Sequence, residues 1–131
     1  MQITKKTLSD IAVAYGVEVE FDSQMFREDE LNIGTTGGEQ IWLSKFDDME
    51  IMAIAFLHEL GHILFQRRFF QRSRSFAKIT DEGAAWEVAF MLADDLLRPL
   101  NAYHNKKLRK YALQCMRSYM TEYNELDDKH E

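Results

Sequence analysis

From Met49 to Phe65 the chain reads MEIMAIAFLHELGHILF, a run at helical period whose apolar residues nearly encircle the helix axis. A helix of this kind cannot lie on a surface with one face in water. The remainder of the chain has to wrap it. Asp47 or Asp48 stands where an N-cap is needed. Yet the middle of this buried segment carries His58, Glu59 and His62, and buried polar groups require partners.

What surrounds the helix reads in two halves. Before it, Leu8, Ile11, Ala12 and Tyr15 fall at helical spacing behind Thr7 or Ser9, and Gly16 ends that helix. Val17 to Phe21 alternates as a half-buried strand. Leu31-Asn32-Ile33 and Gln40 to Leu43 read as two more short strands joined through the turn residues Gly34 to Gly38, which predicts a hairpin. After the central helix, 66–78 is basic and aromatic and reads as a loop or short turn. Thr80 or Asp81 then caps a helix with Ala84, Ala85, Val88, Ala89, Leu92 and Leu96 inward, and Pro99 ends it. A last amphipathic helix, from about Tyr103 to Tyr123, uses Leu108, Tyr111, Ala112, Cys115, Met116 and Tyr119. The expected class is α+β: an antiparallel or mixed sheet of about three strands, a buried central helix and two further C-terminal helices. One domain spans 1–131, with a frayed acidic tail at 124–131.

A net charge of −6 argues against nucleic acid as the main partner. Arg67, Arg68, Arg72, Arg74 and Lys78, with Phe69, Phe70 and Phe76, form a local exception, read as a solvated loop or a docking surface for an acidic protein. Cys115 is the single cysteine, read as a small buried hydrophobe. The N-terminus lacks the apolar core of a signal peptide, and no apolar run reaches the roughly 20 residues of a membrane span. A cytoplasmic protein without a membrane partner is expected.

His58 and His62, four residues apart, project side by side from one helix face, close enough for both imidazoles to hold one ion. Glu59 points to an adjacent part of the surface, beside that ion without ligating it. The pattern HExxH on an apolar helix therefore predicts a Zn²⁺ site. Gly61 removes a side chain beside His62 and lets another helix approach. A hydrolytic zinc site takes three protein ligands and keeps a position for water. Candidates for the third are Glu82, Glu87, Asp81, Asp94, Asp95 and His104. Glu82, expected in the first turn of the next helix beside Gly83, Ala84 and Ala85, is favoured. Glu87 lies about 140° away around that helix, so only one of the two can reach the ion. Tyr103, His104, Tyr111 and Tyr119 are candidate donors to an oxyanion. GEQIWLS reads either as a sheet edge that pairs with an extended peptide, with Trp42 shaping the cleft, or as a buried strand with a core tryptophan. Trp86, on the second helix, reads as core.

HELGH followed about twenty residues later by a glutamate-bearing helix resembles the gluzincin group of zinc metallopeptidases. Within that group, Glu82, Ala85, Ala89, Leu96, Leu97 and Pro99 resemble the second helix of the ImmA/IrrE family, over residues 49 to 99. The glutamate that the family carries directly before alanine is replaced by Ala84, and no helix-turn-helix segment is evident. The resemblance implies a minimal zincin-like metallopeptidase domain with His58, His62 and Glu82 as zinc ligands and Glu59 as general base. It further implies a protein or peptide substrate, such as a transcriptional repressor of a phage or mobile element. The competing expectation is a non-catalytic, metal-braced binding module, an antirepressor-like partner binder.

Overall fold

The computed structural model describes the backbone of residues 2–68 and 74–129 and the side chains of 2–66 and 82–118. Thr4 opens the first helix, α1 (Lys5–Ala14), through a capping box: its hydroxyl accepts the Thr7 amide while the Thr7 hydroxyl accepts the Thr4 amide. The cap thus lies three residues before the expected Thr7. Gly16, at φ +69°, turns the chain out of the helix and into β1 (Glu18–Glu20).

The expected strand Leu31–Ile33 does not form. Asn32 adopts the left-handed conformation (φ 58°), which asparagine tolerates, and interrupts the extended run. Leu31 makes only an isolated bridge to Lys45. The residues read as the turn are instead the strand β2 (Gly34–Gly37), and the turn shrinks to Gly38 and Glu39 before β3 (Gln40–Leu43). The hairpin itself is present, antiparallel, with Gly37 opposite Gln40. β1 joins β3 from the other side, in parallel, so the mixed sheet has the order β1-β3-β2. β3 is therefore central, so of the two readings of GEQIWLS the buried strand holds and the free edge does not. Its Ile41 and Leu43 are fully buried, while Trp42 alternates to the other face and lines a groove with Ser9, Val13 and Glu18.

Asp48 caps α2 (Met49–Arg68), its Oδ1 accepting the amides of Glu50 (2.8 Å) and Ile51 (3.1 Å). Every residue from Met52 to Gly61 is buried, as an all-round apolar helix requires. The sheet covers one side of α2, and α3 (Arg74–Leu96) and α4 (Lys106–Lys129) cover others. α3 begins well before Thr80 and Asp81, which lie inside it rather than capping it. Glu82 consequently sits in the third turn of α3, not the first. The basic-aromatic cluster lies outside the residues whose side chains are described.

α3 stops at Leu96, and Pro99 falls in a single 3₁₀ turn (Arg98–Leu100) followed by a second (Ala102–His104). α4 returns along α2 with Leu108 and Ala112 buried and Tyr111, Cys115 and Met116 half-buried against the core. Lys107 Nζ reaches both Asp48 and Glu50 at 2.7 Å, tying the start of α4 to the start of α2. No helix among the described residues is long and apolar enough to cross a membrane.

Candidate metal centre

Gly61 determines how the two site-bearing helices meet. A Cβ there would lie 2.6 Å from the carbonyl oxygen of Ala85, so α3 touches the bare backbone of α2. This contact fulfils the close helix approach expected at Gly61. It brings the buried face of α3, built from Glu82, Ala85, Trp86, Ala89 and Ala93, against the polar middle of α2. Glu82 is the one charged member of that face, 2% exposed. Glu87, Asp94, Asp95 and His104 are all exposed, and Asp81 lies outside the described side chains.

The Glu82 carboxylate spans the two histidines. Its Oε1 is 2.8 Å from His58 Nε2 and its Oε2 is 2.9 Å from His62 Nε2. One ligand atom from each of the three residues lies within 4.8 Å of the others, so these side chains could hold a metal ion. His58 (7%) is enclosed, while His62 is half-buried and marks the more open side. Despite its short distance to Oε1, His58 Nε2 is not aligned for a hydrogen bond with it or with any other atom. A buried ring nitrogen with no hydrogen bond, facing a carboxylate and a second imidazole, is the donor set a divalent metal takes up. The residues fit such an ion.

The charges are mutually supporting. Burial disfavours the ionised forms of both His58 and Glu82, but their interactions outweigh it. Glu59 and Glu82 hold His58 up at about 9, and the two histidines hold Glu82 down at about 2.

Glu59 is buried (6%) yet belongs to no ligand pair across the helices. Its Oε1 is 3.4 Å from Nδ1 of the adjacent His58. It lies directly under β2: a Cβ on Gly34 would be 3.2 Å from Glu59 Cγ. Nothing in the local sequence around Gly34 announces this role, because the side chain it accommodates is 25 residues downstream. Trp86, read only as core, donates its indole N–H to Glu82 Oε1 at 3.1 Å and stacks on His58. The signal available was the i, i+4 spacing of Glu82 and Trp86.

Of the four residues considered as oxyanion donors, Tyr103 and His104 are exposed and Tyr119 lies outside the described side chains. Tyr111 does approach the site. Burial, then Cys115, Glu59 and Glu82, raise its pKa far above the ordinary value, so it keeps its proton. That proton is donated to the Asn32 carbonyl at 2.8 Å. No protein-family model, curated protein or solved structure matches the chain.

Proposed function

We propose that this chain is a zinc-dependent peptidase built on a minimal zincin-like fold, with His58, His62 and Glu82 binding the ion and Glu59 acting as general base. The observation that carries this reading is the buried Glu59 beside the three-residue cluster without being part of it. A purely structural site has no use for a further buried carboxylate at that position. Zinc, when bound, supplies a more acidic water and a polarised scissile carbonyl. Glu59 takes the proton from the attacking water and returns it to the leaving amine. Burial of His58, Glu59 and Glu82, with Trp86 stacked on His58, keeps the surroundings of low polarity, which strengthens each of these electrostatic interactions.

The free edge of β2, rather than β3, receives the substrate in this reading. The Ser44 amide donates to the Ile33 carbonyl at 2.8 Å, so Ile33, Thr35 and Gly37 bond toward β3. By alternation, the backbone N–H and C=O groups of Gly34 and Thr36 point away from the sheet. An extended polypeptide pairing with them runs past Glu59.

The test is metal content and hydrolysis of a fluorogenic peptide library by the wild type, Glu59→Gln, Glu82→Gln and Glu87→Gln. Wild type and Glu87→Gln should carry one zinc per chain, and Glu82→Gln should lose it. Glu59→Gln should keep zinc while hydrolysis falls by about 10²–10⁴-fold. Equal hydrolysis by Glu59→Gln would refute the mechanism. Stoichiometric zinc without hydrolysis of any peptide or protein substrate would favour the metal-braced binding module.

A further inference from the structure

A carboxylate that serves two histidines has to be held in plane, because the terminal torsion of glutamate is broad and weakly restrained by itself. Here a single neighbour restrains both it and one histidine. The indole of Trp86 donates to Glu82 Oε1 at 3.1 Å, leaving Oε2 to His62. The same indole lies flat on His58, with ring centroids 4.0 Å apart and planes 10° apart. One side chain on α3 thus fixes the carboxylate plane of its own helix and the imidazole plane of α2. Trp86 is itself held: it is buried, Tyr111 meets it edge-on at 6.0 Å, and Tyr111 is anchored to the Asn32 carbonyl.

We propose that Trp86 is a positioning residue for the metal site, orienting His58 and Glu82 together and favouring the metal-loaded state. The inference rests on the metal reading of His58, His62 and Glu82. Two physical effects act in the same direction. The indole nitrogen is a donor only, so it supports Glu82 as an acceptor and stabilises the ionised carboxylate that a metal needs. The indole stacked flat on the His58 ring holds that imidazole in one plane, so less orientation is left to fix when a metal binds. Neither effect follows from a tryptophan that merely fills space.

Trp86→Phe retains an aromatic ring at this position and removes the N–H donor. Affinity for zinc alone, measured by chelator competition on the full chain, should fall about 10–100-fold, the usual effect of losing an outer partner of a metal ligand. The Co²⁺-loaded variant should show an altered visible absorption spectrum. A second readout uses the fact that the chain has only two tryptophans. In Trp42→Phe, where Trp86 is the sole indole, emission should change in proportion to zinc bound and level off at one equivalent. In Trp86→Phe, where Trp42 on the far face of the sheet remains, emission should not respond.

Equal zinc affinity and equal cobalt spectra for wild type and Trp86→Phe would overturn the proposal while leaving the metal site intact. If Trp86→Phe does not fold, unchanged emission of Trp42→Phe at saturating zinc overturns it. Absence of zinc binding by the wild type would overturn the metal reading itself, and this inference with it.

Discussion

Replacing Gly61 by alanine tests whether helix contact sets the site geometry. The new Cβ would stand 2.6 Å from the Ala85 carbonyl oxygen and 3.2 Å from its Cα. These are backbone atoms and cannot rotate aside, so α2 and α3 must separate by several tenths of an ångström. Overpacking of this kind costs about 1–3 kcal/mol. Alanine is meanwhile the better helix former by about 1 kcal/mol. Gly83→Ala separates the two terms, since Gly83 also lies inside a helix but its Cβ would meet nothing within 4 Å among the described residues. Gly83→Ala should raise stability by about 1 kcal/mol. Gly61→Ala should fall about 1–3 kcal/mol below it, a gap of roughly 3–5 °C in Tm per kcal/mol for a chain of this size. Urea denaturation of the metal-free proteins measures the difference. Zinc affinity should fall only in Gly61→Ala, because Glu82 lies one turn before Ala85 and moves with it. Equal shifts for the two variants would refute the argument that bare backbone contact positions the carboxylate.

Gly34→Ala would bring a methyl group to 2.9 Å from Leu43 Cδ2 and 3.2 Å from Glu59 Cγ, so hydrolysis should drop at least about 10-fold while zinc affinity stays at the wild-type value. A parallel loss of zinc would show that the contact acts on the ligands rather than on the base. In the metal-free chain, His58 is raised from 6.5 to about 9, so its contribution to stability is complete below pH 6.5 and disappears as pH rises to about 9. Glu82 is lowered from 4.5 to about 2, so its contribution is present above pH 4.5 and disappears as pH falls to about 2. The urea midpoint of the metal-free protein should therefore be greatest between about pH 4.5 and 6.5, and a profile flat from pH 6.5 to 9 would contradict the paired histidine.

The central helix and its polar middle were legible because their signal is local: an apolar period with no polar face and two histidines one turn apart. The separation of Glu82 from Glu87 was legible for the same reason, helical rotation alone turning one inward and the other to solvent. The start of α3 was not. Thr80 and Asp81 make good caps, but the run from Arg74 to Glu82 holds no glycine or proline, and the helix continues back through it to Arg74. β2 was hidden for a different reason. Its glycines look like a turn, yet Gly34 is accommodated by Leu43 and Glu59 rather than by local bending, and the true break is the left-handed Asn32. Trp86 shows a third limit, since burial conceals which polar atom its N–H will meet.

The two edges of the sheet are guarded against self-association by different means. β1 presents Glu18 and Glu20 on either side of Val19, so a second copy pairing there would align like charges. β2 has no charges and begins and ends in glycine, residues with little strand preference, over only four positions. Backbone pairing along so short a ribbon cannot hold another copy of the chain by itself, so the open edge does not nucleate aggregation. A strand that stays on β2 needs further attachment beyond the sheet.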